Sequence, residues 1–219
     1  MVCEWTAVIP VKPLIAAKSR LRGAVPAARH AELALAMVRD TAAAVLAGSA
    51  VGELLVVTDD PVVAAEVAGL GARVVPDRPG AGLNAAMRHG ADEVAGLSRH
   101  RAVLAGDLPA LRPEQLDAAL DAAFHAAPAG RGFVVDAAGT GTVLLAAPPG
   151  RRLDPRFGIG SAAAHQRSGA TPLTGDWPGL RQDVDTPADL AAVLALGAGR
   201  HTSSLLRDLG LTPGCVPAA

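Results

Sequence analysis

The two lysines of the chain follow its first apolar run, where a phosphate could bind. Lys12 and Lys18 share a loop with Arg20 and Arg22, so four cations fall within eleven residues, and every other basic residue of the chain is an arginine. In α/β folds the loop at the carboxyl end of the first strand commonly holds a phosphate, although this loop matches neither the P-loop nor the dinucleotide fingerprint. A solvated loop is the alternative. The retention of lysine in an arginine-rich chain favours a role for a compact ammonium group.

Three aspartates have the character of Mg²⁺ ligands. Asp107 follows the fourth predicted strand in a Gly-Asp-Leu-Pro sequence, and Asp183 and Asp185 form an Asp-x-Asp pair. In extended backbone such a pair shares one face, and two carboxylates so close are costly unless a cation or a proton neutralises them. The alternatives are a turn residue for Asp107 and a helix cap within the pair. Together the three acids fit Mg²⁺-dependent phosphoryl chemistry.

Three turn-rich segments are suited to close backbone contact with a ligand, although each alone would be an ordinary turn. Residues 136–142 are rich in glycine and threonine, and residues 157–161 (FGIGS) place a serine at a predicted helix start. Backbone amides in such segments can approach an anion. Residues 77–84 allow close contact with a base or ribose, and their nucleotide-binding candidates are Pro79, Gly80, Gly82 and Asn84. His165 is expected to be a partly buried histidine with no chemical role.

Short β-branched runs alternate with longer segments of helical period. The pattern predicts strands over 5–11, 53–58, 72–76 and 101–105, with helices over 27–46, 62–69, 83–97 and 112–127. In the second half it predicts strands over 132–136 and 140–146 as an antiparallel insertion, a helix over 162–168 and a strand over 180–186. Pro187 then begins a helix that Thr186 caps, and a short helix follows over 203–209. This alternation indicates an α/β fold with a mostly parallel sheet covered on both faces, in which ligands bind at the carboxyl ends of the strands.

Composition narrows the class of protein further. A net charge of -1 without a basic block argues against a nucleic-acid binder, and 50% hydrophobic residues can supply a core for a single domain over 1–196 with a C-terminal tail over 197–219. No apolar run reaches the length of a membrane span. Cys3 and Cys215 stand near the two ends, so a disulfide framework is not expected and a cytoplasmic location is the default.

The motifs, taken in order, resemble one protein family. The succession of IPVKP, AKSRL, DRPGAGLNAA, GDLP, GTGT, FGIGS with a following histidine, and DVDTP is similar to the phosphoenolpyruvate and 2-phospho-L-lactate guanylyltransferases of coenzyme F-420 biosynthesis. The resemblance runs from Val8 to about Leu190. It implies a Rossmann-like, GT-A-like nucleotidyltransferase fold, a three-layer α/β/α sandwich. The chain departs from the wider superfamily in its first loop, where Lys12, Pro13 and Lys18 stand in place of a glycine-rich signature.

The resemblance also implies an activity and a division of roles. GMP would pass from GTP to phosphoenolpyruvate or 2-phospho-L-lactate with release of pyrophosphate, and the product would go to a downstream transferase. The acceptor would be held by Thr142, Gly158 and Ser161. Mg²⁺ would be held by Asp107, Asp183 and Asp185. The charge on the leaving pyrophosphate would be stabilised by Lys12, Lys18 and Arg22.

Two other functions remain open at this point. A related nucleotidyltransferase could take CTP, a sugar phosphate or a molybdenum-cofactor precursor, although Thr142 and Ser161 suit a small carboxylated phosphate better than a bulky sugar. A nucleotide-binding regulator without activity is the second alternative, against which the intact set of acids and bases argues. The choice between the two acceptors, the number of Mg²⁺ ions and the oligomeric state stay open.

Overall fold

Strands and helices alternate along the chain, as the apolar pattern predicts. The computed structural model describes residues 4–14, 21, 25–78, 80–128 and 130–211. Within these ranges the strands are β1 Trp5–Pro10, β2 Val51–Val57, β3 Arg73–Val75, β4 His100–Leu104, β5 Arg131–Val135, β6 Thr142–Ala147 and β7 Ala170–Pro172. The α-helices are α1 His30–Ala47, α2 Pro61–Gly69, α3 Leu83–Arg88, α4 Pro113–Ala126, α5 Ser161–Arg167, α6 Pro178–Arg181, α7 Pro187–Leu196 and α8 Arg200–Asp208.

The strands form one mostly parallel sheet in the order β3-β2-β1-β4-β6-β5-β7. The first four strands are parallel neighbours, β6 lies antiparallel between β4 and β5, and β7 is parallel to β5. This arrangement confirms the predicted fold class, including the antiparallel insertion over 132–146. The carboxyl ends of the six strands other than β6 therefore face the same edge of the sheet.

Apolar side chains pack on both faces of the sheet. Along β1, Ala7 and Ile9 belong to one buried cluster and Val8 to the cluster on the opposite face. Successive side chains of a strand point to opposite faces, so a strand covered on both sides must be apolar throughout. The apolar run at 5–11, broken only by the small polar Thr6, has this cause.

A third apolar cluster joins α1 to the last two helices. Val184, Leu190 and Leu206 are fully buried in it. The buried carboxylate of Asp40 on α1 accepts hydrogen bonds from the backbone N–H groups of His201 and Thr202, at the start of α8. Part of the predicted C-terminal tail, up to residue 211, therefore packs on the domain. Residues 212–219, Cys3 and Cys215 lie outside the described residues.

In the second half, one predicted strand is wrong and one observed strand was missed. The predicted strand over 180–186 is wrong: Pro178, at the first helical position, begins α6, and residues 182–186 are irregular up to Thr186. The edge strand β7 escaped prediction because it has three residues and ends in a proline. The predicted cap of α7 is confirmed, since Thr186 and Asp189 form a capping box.

The long helix predicted over 83–97 changes its winding. It begins as α3 and continues from His89 to Ala95 as a π-helix.

Among the described residues, no helix has both the length and the apolar character needed to cross a membrane.

Candidate active site

Two adjoining cavities open at the carboxyl edge of the sheet. The first, here called the β1 cavity, has a volume of about 360 Å³ and lies between the loop after β1, the start of α3 and the loop after β4. The second, the β5 cavity, has a volume of about 690 Å³ and extends from the loop after β4 to the turn after β5 and the start of α5. The two linings have six residues in common: Lys12, Leu83, Ala105, Asp107, Phe157 and Asp185. The cavities are therefore two parts of one cleft.

Carboxylates gather where the two cavities meet. Asp107 and Asp185 line both, and Asp183 and Asp136 line the β5 cavity. Burial, and after it the negative charges of Asp107, Asp185 and Asp136, together raise the pKa of Asp183 from 3.8 to about 7. The structure thus brings the three predicted metal-binding aspartates to one place, in surroundings that disfavour negative charge.

Asp136 is a member of this group that the sequence analysis did not single out. It stands directly after β5, and its carboxylate accepts hydrogen bonds from the backbone N–H groups of Thr140 and Gly141, 2.9 and 2.8 Å away. It therefore shapes the turn into β6 while adding charge to the cleft. The signal was present in the sequence, because Asp136 ends the strand predicted over 132–136 and so stands at a carboxyl end, as Asp107 does after the strand predicted over 101–105.

The acids are held by groups outside the cleft. Val184 is fully buried in the cluster against α1, and this anchors the two aspartates that flank it. The Thr41 hydroxyl on α1 donates to the Met37 carbonyl and accepts from the backbone N–H of Leu108, which fixes the chain directly after Asp107. The positions of the carboxylates thus depend on packing against α1.

As the side chains stand, no group of three or more His, Cys, Asp or Glu residues could hold a metal ion within the described ranges. The backbone N–H of Asp185 donates to Asp189, the residue of the α7 capping box. The prediction that Asp107, Asp183 and Asp185 bind Mg²⁺ therefore stays a prediction. The available ligand atoms nevertheless suit a hard cation, since carboxylate oxygens are the ligands that Mg²⁺ prefers.

The basic loop after β1 is described only at its two ends. Lys12 is exposed and lines both cavities, directly beyond the end of β1. The backbone N–H of Leu14 donates to Asp60, the cap of α2, over 2.9 Å, which ties this loop to its neighbour. Lys18 and Arg22 lie outside the described residues.

Of the described residues in the segment predicted to bind a nucleotide, only Leu83 lines the cleft. Leu83 lines both cavities, and Gly80 and Gly82 precede it with φ angles of 53° and 93°, which favour glycine. The Asn84 side chain is occupied elsewhere: its Oδ1 accepts from the Phe157 backbone N–H at 2.7 Å, and its Nδ2 donates to the Phe157 carbonyl at 3.0 Å. Pro79 lies outside the described residues.

This pair of hydrogen bonds joins the two halves of the cleft. Phe157 is a wall shared by both cavities, and it lies 73 positions from Asn84 in the chain. The structure thus gives Asn84 a contact with the protein itself. Its predicted contact with a nucleotide remains untested.

The three residues predicted to hold the acceptor lie together in the β5 cavity. Thr142 begins β6, Ser161 begins α5, and Gly158 lies in the loop between them with a φ angle of 130°. Thr142 Oγ1 lies 2.9 Å from Nδ1 of His165, which is fully buried on α5. The hydroxyl groups of Thr142 and Ser161 therefore belong to the same cavity as the carboxylates.

The chain is similar to known proteins along nearly its whole length. It matches the family described as "Guanylyl transferase CofC like" over residues 5–215. A protein from Salinispora arenicola named phosphoenolpyruvate guanylyltransferase is 59% identical over 210 residues, covering 96% of this chain and 97% of that protein. Proteins of the same name from Geodermatophilus obscurus and Streptomyces scabiei are 56% and 51% identical, covering 92% and 96% of this chain and 94% and 99% of their own lengths.

Solved structures share the fold at low identity. A nucleotidyl transferase from Methanothermobacter aligns with a TM-score of 0.63 and 21% identity, covering 93% of this chain and 98% of its own. A 4-diphosphocytidyl-2C-methyl-D-erythritol synthase aligns with a TM-score of 0.55 and 18% identity, covering 89% and 99%. These likenesses support the predicted nucleotidyltransferase type of fold.

Asn84→Ala should loosen the wall between the cavities, because it removes both hydrogen bonds to the Phe157 backbone. The loss of about 1–3 kcal/mol corresponds to hydrogen exchange at the Phe157 amide that is roughly 5 to 150 times faster. Exchange measured by mass spectrometry on peptides covering 156–159 tests this. Arg88→Ala, an exposed change on the same helix, is the control. Unchanged exchange in Asn84→Ala would show that the contact does not hold the loop.

Asp183→Asn should flatten the pH dependence of stability in the presence of a chelator. The Asp183 carboxyl group binds its proton more tightly in the folded chain, with a pKa of about 7, than in the unfolded chain, with a pKa near 3.8. The resulting stabilisation is complete below pH 4 and is lost as the pH rises through 7. Urea unfolding with EDTA at pH 5.5 and pH 8 should show a smaller loss of stability in the variant than in the wild type. An equal loss in both proteins would contradict the assignment.

Proposed function

We propose that this chain, which belongs to the guanylyl transferase CofC-like family, transfers GMP from GTP to phosphoenolpyruvate and releases pyrophosphate. The name shared by its relatives at 51% to 59% identity supports both the reaction class and the acceptor. The observation in the structure that carries the proposal is the single cleft, in which two cavities meet at a group of carboxylates. Such a cleft can hold a donor and an acceptor side by side. By family, the reaction belongs to coenzyme F-420 biosynthesis.

The β1 cavity suits the nucleotide donor. Its walls include the apolar side chains of Leu14, Val38, Leu83 and Met87, against which a base can pack. Lys12 lies at the junction with the β5 cavity, where the phosphates of the donor would lie. Placing the guanine base of GTP in this cavity agrees with the guanylyl transfer of the family and with the apolar walls of the cavity.

The β5 cavity suits a small acceptor with a phosphate and a carboxylate. Thr142 and Ser161 bring hydroxyl groups, and Gly158 and Gly160 leave the backbone open to close approach. Phosphoenolpyruvate is compact and carries both anionic groups. We therefore place its recognition at Thr142, Gly158 and Ser161.

The reaction needs positioning more than proton transfer. A phosphate oxygen of the acceptor attacks the α-phosphorus of GTP, the bond between the α-phosphorus and the bridging oxygen breaks, and pyrophosphate leaves with that electron pair. The attacking oxygen is already anionic, so no general base is required. The chain's own contribution is to hold the two phosphates in line and to stabilise the charge on the leaving group. We assign the second task to Lys12, which lines both cavities, and, from the sequence, to Lys18 and Arg22.

The carboxylates of the cleft fit a bound Mg²⁺. Mg²⁺ commonly takes one or two protein carboxylates and completes its shell with water and substrate phosphates, so it does not require three preformed ligands. Asp107, Asp183 and Asp185 are the residues we assign to it. When bound, the ion would supply positive charge to the reacting phosphates. Because Asp183 resists ionisation in surroundings of like charge, a cation at this point would relieve that cost.

Pyrophosphate release from each nucleoside triphosphate with each acceptor tests the proposed function. GTP with phosphoenolpyruvate and Mg²⁺ should give release, whereas omission of the acceptor or of the metal should abolish it. 2-Phospho-L-lactate should be the poorer acceptor. Faster release with CTP and a sugar phosphate would replace the proposal by the sugar-nucleotide alternative, and release without any acceptor would overturn it.

Asp107→Asn should lower turnover by about 100-fold or more, because it removes a full charge from the group assigned to Mg²⁺. The change preserves the shape of the side chain, so the free energy of unfolding should stay within about 1 kcal/mol of the wild-type value. Steady-state pyrophosphate release and urea unfolding measure the two effects. Asp121→Asn on the exposed face of α4 is the control. Unchanged turnover in a folded Asp107→Asn protein would exclude Asp107 from the metal site.

A further inference from the structure

We infer that His165 is a positioning residue: it holds the Thr142 hydroxyl as a hydrogen-bond donor toward the acceptor in the β5 cavity. The inference rests on the proposed function, because it assumes that an anionic acceptor binds beside Thr142. His165 itself is fully buried and does not line the β5 cavity, so it acts through Thr142.

The geometry decides which ring nitrogen of His165 carries the proton. The Arg156 backbone N–H lies 2.9 Å from Nε2, and a backbone N–H can only donate. Nε2 must therefore present its lone pair. In a neutral imidazole the single proton then sits on Nδ1, which lies 2.9 Å from Thr142 Oγ1.

The surroundings keep the ring neutral. Burial, and after it the charges of Arg131 and Arg156, lower the pKa of His165 to about 4, and the charge of Asp154 opposes them only in part. The rings of Phe133 and Phe157 pack against the imidazole, with centroids 5.7 and 5.2 Å away. One tautomer of a neutral ring is therefore present throughout the physiological pH range.

This tautomer sets the polarity of the Thr142 hydroxyl. Its oxygen accepts the Nδ1–H of His165, so its own hydrogen is directed away from the ring, and Thr142 lines the β5 cavity. An ionised phosphate or carboxylate offers only acceptors, so it can bind a hydroxyl only when that hydroxyl donates. His165 thus selects the orientation of Thr142 that an anionic acceptor requires.

His165 also accepts the backbone N–H of Arg156, directly before the residues 157–160 that line the cavity, and the two roles can be separated by substitution. Glutamine reaches about as far as Nε2 and can still accept from the Arg156 N–H, but it cannot place a donor at the position of Nδ1. Asparagine reaches about as far as Nδ1 and can still donate to Thr142. The pair of variants therefore removes one contact at a time.

Steady-state kinetics of the full chain with GTP and Mg²⁺ provide the first test. His165→Gln and Thr142→Val should each raise the KM for phosphoenolpyruvate by about 10- to 100-fold, the range for a hydrogen bond to a charged group, with the KM for GTP nearly unchanged. The double variant should be no worse than the worse single variant, because both remove the same interaction. His165→Asn should recover most of the loss. His125→Gln, an exposed histidine on α4, is the matched control.

Two kinetic results would overturn the inference. One is multiplication of the two effects in the double variant, which would mean that His165 acts independently of Thr142. The other is an equal rise in both KM values in His165→Gln, which would indicate general loosening of the cleft.

The tautomer can be measured without any activity, so the inference is separable from the proposed function. Nitrogen-15 NMR of the unliganded protein, with the His165 signals assigned from their loss in His165→Gln, should show Nδ1 protonated and Nε2 unprotonated. Protonation at Nε2 would overturn the inference even if the enzyme turns over phosphoenolpyruvate. An inactive wild type with the expected tautomer would instead count against the proposed function alone.

Discussion

Repulsion among the carboxylates at the carboxyl edge of the sheet is the constraint on which the rest of the site depends. Burial and the nearby charges of Asp107, Asp185 and Asp136 all raise the pKa of Asp183, so the arrangement disfavours its ionised form. In the unfolded chain these charges would move apart. The folded chain keeps them together only because the backbone on which they stand is fixed by other interactions.

The fixing interactions are apolar packing and backbone hydrogen bonds behind the cleft. Val184 enters the cluster that α1 shares with α7 and α8, and Thr41 on α1 holds the backbone directly after Asp107. Helix α1 is thus the support for acids from two distant parts of the sequence. The packing of α8 on the same helix is consequently part of what holds the site, although none of the residues of α8 lines either cavity.

The sequence predicted the sheet well and the polar contacts of the site poorly, for a physical reason. The apolar run of β1 and the Thr186 cap of α7 are local signals, and the structure confirms both. Asn84 and His165, by contrast, find their partners through the tertiary fold: Asn84 at Phe157, and His165 at Thr142 and Arg156. A side chain that completes a distant loop has the same residue type as one that binds a ligand, so these contacts could not be predicted from the sequence. The predicted contact of Asn84 with a nucleotide stays a prediction.

The same constraint bears on how the cleft could take its substrates. Both proposed substrates are anionic, and they would enter a cleft lined by four carboxylates, so neither can bind well before positive charge is supplied. Lys12, at the junction of the two cavities, supplies part of it, and the proposed Mg²⁺ would supply the rest. Binding of the cation would then strengthen the binding of each phosphate, and binding of each phosphate would strengthen that of the cation, because such coupling is reciprocal. Binding of donor, metal and acceptor would thus be cooperative. The cleft would hold the two reacting phosphates together most tightly when all three are bound, because its charges are then balanced.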